Sequence, residues 1–252
     1  MEQLVANSAH RITKDITACY EAYFVNLNCD DVHFDITVKD NATLRLEIVR
    51  IKNPKCPCNV DGNINLRRNA NLEVVFVDFN DEDINVNLHT ELRENSVASY
   101  HVAATSCKTA KKVFNFRIEH LDPRTVSSVK MRGVLCDNAE LHFLGTSDIY
   151  KGSVKANTRI EGKIADLSEK GVAEVSPVLN IDENQVVASH GAALGKIPDT
   201  SLFYLMSRGL SKKQATSLLT IGYLKPYVME ISDEHTRTRL LSYVEERGFI
   251  DD

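Results

Sequence analysis

The sequence predicts a mainly β protein of 252 residues that carries a small helical appendage at its C-terminal end. Three observations support this. Apolar and polar residues alternate from about residue 31 to 188, short Asx corners recur between the alternating runs, and after Pro198 the period becomes that of a helix.

Val32, Phe34, Ile36 and Val38 alternate with His33, Asp35, Thr37 and Lys39, and Leu44, Leu46 and Ile48 alternate with Arg45 and Glu47. The theme returns in Leu72, Val74 and Phe76, in Ile84, Val86 and Leu88, and in Phe114, Phe116 and Ile118. A period of two puts one face of each strand in a core and the other in water. Corners follow at Asn41-Ala42, Asn69-Ala70, Asn95-Ser96 and Asn138-Ala139, the first three at intervals of 28 and 26 residues. Asn tolerates the left-handed backbone of a tight bend, and a small neighbour clears the turn. Strand and corner units of this length fit either a β-sandwich or a stacked solenoid, and periodicity leaves the two open.

Beyond Pro198 a first helix is expected over Thr200 to Arg208, stopped by Gly209. Ser211-Lys212-Lys213-Gln214 is a capping box opening a second helix, whose Ala215, Leu218, Leu219 and Tyr223 share a face. Pro226 is expected to break or kink it. Ser232 then caps a third helix that carries Leu240, Leu241 and Val244 and stops near Gly248. The expected division is a β body over 1–198 with an irregular N-terminal segment, and a helical subdomain over 199–252.

Composition narrows the function classes. With 30 Lys+Arg against 35 Asp+Glu the net charge is -5, and no basic stripe interleaved with aromatics marks a nucleic-acid surface. The N-terminal stretch lacks the apolar core of a secretory signal and no apolar run is long enough to span a membrane, so a soluble cytoplasmic protein is expected. The six cysteines, Cys19, Cys29, Cys56, Cys58, Cys107 and Cys136, contain no CxxC pair and are expected as free thiols. Cys56-Pro57-Cys58 is too close for easy disulfide geometry and has no second ligand pair beside it. GAALGK, residues 191 to 196, is not a phosphate loop. Three residues separate its glycines where four are needed, and Ile197-Pro198 supplies neither a metal-binding hydroxyl nor a helix start. No nucleotide is therefore expected on this chain.

The run VLNIDENQVVASHGAALGKIPDTSLFYLMSRGLSKKQATSLL resembles the C-terminal signature of the SufB/SufD family, scaffold proteins of the SUF iron-sulfur assembly machinery. Pro177, Leu179, Ile181, Asp182, Ser189 to Ala192, Phe203 to Leu205, Arg208 and Gly209 carry it. Upstream, HLDPRTVSSVKMRGVLCDNAELHFLGTSDI resembles the family's central turns. The resemblance covers roughly residues 115 to 225 well and the first hundred poorly. It implies a right-handed parallel β-helix with C-terminal helices, which favours the solenoid. It also implies a non-catalytic scaffold that receives sulfur, binds iron or a transient iron-sulfur cluster, and is moved by a SufC-type ABC ATPase. A second SufB/SufD-type protomer, identical or distinct, is the other implied partner.

Two departures qualify the resemblance. Larger members carry an N-terminal helical domain that a chain of this length is not expected to hold. A cysteine implicated in cluster assembly in SufB-type members lies some fifteen residues before the matching proline, where TRIEGKIADL has Gly162. In this respect, and in its Ser-His-Gly-Ala motif, the chain is closer to SufD.

His190 is the leading candidate for iron, cluster or protomer contact, since a neutral imidazole suits iron or zinc, although strand-end histidines are commonly structural. Glu174 is a hard carboxylate for ferrous iron or a surface charge, and Cys136 a thiolate ligand or a small buried apolar group. Phe203, Tyr204, Arg208 and Gly209 either dock and end the first helix or anchor the ATPase. A competing reading from the fold alone is a β-solenoid hydrolase or lyase acting on a polysaccharide. Against it, the sequence shows no aromatic platform, no tryptophan at all and no convergent carboxylate cluster.

Overall fold

Alternation becomes strand, and every strand pairs in parallel with the next but one. The computed structural model describes residues 2–6, 10–27, 31–51 and 57–247; Cys29, Cys56 and Gly248 lie outside them. The strands are β1 (Glu2–Ala6), β2 (His10–Ile16), β3 (Glu21–Leu27), β4 (Val32–Val38), β5 (Thr43–Arg50), β6 (Cys58–Leu66), β7 (Asn71–Asp78) and β8 (Ile84–Leu92). They continue as β9 (Val97–Ser106), β10 (Lys111–His120), β11 (Val126–Leu135), β12 (Glu140–Ile149), β13 (Asn157–Asp166), β14 (Val172–Ile181) and β15 (Val187–Gly195). Three helices follow, α1 (Asp199–Ser207), α2 (Lys212–Val228) and α3 (Glu234–Arg247).

Odd strands form an eight-stranded sheet in the order β1-β3-β5-β7-β9-β11-β13-β15, and even strands a seven-stranded sheet running from β14 to β2. At each corner the chain crosses to the other sheet and returns one strand further along. That is a parallel solenoid, and the antiparallel sandwich is excluded. Inward residues of both sheets fill one continuous core, in which Phe114 packs edge-on against Phe76 at 5.5 Å and against Phe143 at 5.7 Å.

The corners repeat because their residues satisfy one another. Asn41, Asn69 and Asn95 have φ of 60, 55 and 59°, the left-handed region. Asn69 donates to the Asn41 amide oxygen at 2.9 Å, Asn95 to that of Asn69 at 3.0 Å, and Arg124 Nε to that of Asn95 at 2.7 Å. Asn138 does not belong to this ladder. At its corner, on the opposite edge, the left-handed residue is Asp137, φ 58°, whose carboxylate accepts from the Lys108 N–H at 2.6 Å.

The helical appendage docks where alternation lapses. The C-terminal halves of β5, β7 and β9 are buried on both faces, and outward residues such as Val49, Val77 and Ala103 meet Leu224, Val228, Ile231, Leu240 and Val244. Buried Glu47 clamps the junction before α3, accepting from the Ser232 N–H at 3.0 Å and from its hydroxyl. Ser232 is therefore occupied, and the expected cap is supplied instead by Asp233, which accepts from Thr236 N–H at 2.7 Å. The Ser211 capping box forms as expected. Pro226 does not break α2, which runs through it for 17 residues. A proline there removes one N–H, and the packing of the last turn on the sheet offsets that loss. Gly209, φ 93°, ends α1. Among the described residues no helix is long and apolar enough to cross a membrane.

Candidate functional site

β15 is the last strand of its sheet and β14 the last of the other, so the solenoid ends in an open coil. His190 lies on β15 in register with Ile160 of β13. Ile160 points into the core; at the final coil the same inward position is open, and His190 is exposed. It lines a cleft of about 260 Å³ with Arg159, Glu161, Lys163 and Ser189. Glu161 accepts from Lys163 at 2.9 Å and Arg159 at 3.0 Å, and these hydrogen bonds hold its carboxyl down to about 2.

Glu174 and Cys136 lie elsewhere. Glu174 projects from β14 on the other sheet and meets His142 Nδ1 at 2.8 Å; His142 Nε2 in turn meets Glu140 at 3.2 Å. Cys136 sits buried at the corner after β11, beneath α2 and α3. The three candidates do not converge within one chain. The cysteines bring a correction to the expectation of free thiols: Cys107 and Cys136 occupy equivalent corners of adjacent coils, with Cα atoms 4.6 Å apart, and are joined as a disulfide. With Asp137 they form the one group of three Cys, His, Asp or Glu side chains among the described residues whose ligand atoms lie within 4.8 Å of one another, and the disulfide occupies both of its sulfurs. No adjacency in sequence signals this pair, because parallel stacking places residues 29 apart side by side.

Gly162 explains why no thiol stands at the position matching the SufB-type cysteine. A Cβ built there would lie 2.5 Å from Val175 Cγ1, so the core leaves no room for a side chain without displacing that valine.

The aromatic candidates are displayed rather than docked. α1 buries none of its residues. Phe203 is 75% and Tyr204 57% exposed, and the Arg208 guanidinium lies 5.4 Å from the Tyr204 ring centre. Tyr204 and Arg208 thus pair on the exposed surface at the end of α1, where Phe203 is exposed as well.

A family model described as "SUF system FeS cluster assembly, SufBD core domain" matches residues 6–223. The chain is 36% identical over 134 residues to the iron-sulfur cluster assembly protein SufD of Bacillus subtilis, which is 53% of this chain and 31% of that protein. It is 26% identical over 116 residues to SufB of the same organism, 46% of this chain and 25% of that one. An iron-sulfur cluster assembly SufBD family protein of Staphylococcus aureus is 25% identical over 116 residues, again 46% of this chain and 25% of that one. These matches thus span about a third or less of the relatives' own lengths.

Proposed function

The chain belongs to the SufBD core family of the SUF iron-sulfur cluster assembly system, and on that premise we propose that it is a non-catalytic scaffold in a cytoplasmic assembly complex. It pairs with a second SufB/SufD-type protomer through its terminal coil and is gripped by a SufC-type ABC ATPase at its helical end. The observation that carries this reading is the uncapped coil β14–β15. Val172, Val178, Ile181, Val187 and Leu194 are between 41% and 64% exposed there. Open strand edges invite a partner strand, and a solenoid without a terminal cap favours pairing at that end.

Iron or a nascent cluster is cargo in this scheme. His190 supplies one imidazole at the pairing end, and among the described residues it belongs to no group of three ligating side chains. Its cargo therefore takes further ligands from the partner protomer. Family membership also removes the basis of the polysaccharide-enzyme alternative, which rested on the fold alone.

Deleting everything after Pro198 would strip the apolar cover from the eight-stranded sheet, so surface variants make the sharper test. Phe203→Ala with Tyr204→Ala removes exposed aromatics from a helix that buries nothing. The double variant is expected to lose copurification with a SufC-type ATPase while retaining its fold by circular dichroism. Undiminished copurification would show that the ATPase grips another surface and would remove α1 from the scheme.

A further inference from the structure

Between α2 and the outward face of β9, β11 and β13 lies a polar cleft of about 770 Å³. Its floor carries Lys130, Arg132 and Arg159, and its far wall carries Tyr223 and Tyr227. The Arg132 guanidinium lies 5.2 Å from the Tyr223 ring centre, and His101 packs edge-on against Tyr227 at 6.1 Å between ring centres. The carboxylates of the cleft are already engaged. Glu161 is shared by Arg159 and Lys163, standing 3.8 Å from Arg132, and Glu230 contacts His101. Lys130 is exposed and has no hydrogen-bond or ion-pair partner among the described residues. Lys130 is thus left without a closely bound counter-charge, while Arg132, hydrogen-bonded to Tyr223 and Tyr227 and 3.8 Å from Glu161, stands beside it against the aromatic wall.

We propose that this cleft binds a phosphate-bearing small molecule with a planar ring, a nucleotide in chemical class, with Lys130 and Arg132 on its phosphates and the Tyr223–Tyr227 wall against its ring. Its volume falls in the range of small-molecule sites, far larger than bare phosphate requires. Arg and Lys side chains bind phosphate oxygens by charge-assisted hydrogen bonds and need no glycine-rich loop, so the absence of a phosphate loop at GAALGK does not bear on this site. The inference does not rest on the scaffold reading above: the cleft shares Arg159 and Glu161 with the one beside His190, but Lys130, Arg132, Tyr223 and Tyr227 have no part in that reading.

Titration calorimetry of the full chain with ADP, UDP, inorganic pyrophosphate and adenosine tests it. A diphosphate nucleotide is expected to bind saturably, pyrophosphate more weakly, and adenosine not measurably. Lys130→Ala is expected to weaken nucleotide binding about tenfold, the loss of one charge-assisted contact. Because exposed Lys130 makes no hydrogen bond or ion pair among the described residues, its replacement is expected to leave the urea midpoint unchanged, and Arg132→Lys serves as the second variant. No saturable binding of either nucleotide at millimolar concentration, adenosine binding as well as ADP, or affinity untouched by both substitutions would each overturn the proposal.

Discussion

His120 is fully buried at the end of β10 and held neutral. Its Nδ1 meets the Thr125 hydroxyl at 2.8 Å and its Nε2 the Ser127 hydroxyl at 2.9 Å, while burial pushes its pKa down to about 4 from 6.5. The unfolded chain binds the proton more readily than the folded one across that interval. The histidine's contribution to stability is therefore complete above about pH 6.5 and lost as pH falls toward 4, a change on the order of 3 kcal/mol. Urea melts at pH 7 and 4.5 are expected to show a smaller acid loss in His120→Gln than in wild type. Equal losses in the two proteins would assign acid lability to the carboxylates instead. Cys107 and Cys136 belong to the same scale. Cys19 and Cys58 are free thiols and should alkylate when the protein is denatured without reductant, whereas Cys107 and Cys136 should be labelled only after reduction. Labels on Cys107 and Cys136 in the unreduced sample would restore the free-thiol expectation for that pair. Neither feature was legible in the sequence, where His120 looked ordinary and the cysteines looked scattered, because both depend on which residues the coils stack.

At the scale of elements, legibility followed local chemistry. The Asn41, Asn69 and Asn95 corners, the Ser211 capping box and the Gly209 stop were readable because a residue's own backbone preference decides each of them. A break at Pro226 and a cap at Ser232 were misread because a tertiary contact decided: α2 is held on the sheet through its last turn, and Glu47 takes the Ser232 hydroxyl. The amide ladder adds long-range support to the local preference. Asn69→Ala removes the middle rung and forces a Cβ-bearing residue without a compensating bond into φ 55°, at an expected cost of about 1–2 kcal/mol. Asn69→Gly loses the same two bonds and keeps an easy backbone. Comparing the two urea midpoints separates ladder from backbone; an alanine variant as stable as the glycine variant would show that the left-handed turn is not what asparagine supplies here.

At the scale of the whole molecule, alternation alone could not separate sandwich from solenoid, since both bury one face of each strand. The distinction lies in register: every pair is parallel, and coil after coil repeats the same pairing from β1 to β15. The resemblance, rather than the periodicity, chose correctly. Such an architecture has two ends, and an end needs a cap or a partner. On the β14–β15 coil, Val187 is 64% and Leu194 52% exposed, large apolar side chains that the described residues leave largely open. Replacing both with lysine puts charge on an open edge at side chains that are mostly exposed, so the unfolding free energy should fall by no more than about 1 kcal/mol. Light scattering behind size exclusion should then find a single chain where wild type, alone or mixed with a SufB-type protomer, travels as a pair. A double-lysine variant that still pairs would place the contact on another face and leave His190 away from the interface; a wild-type chain that never pairs would remove the terminal coil from the scaffold scheme altogether.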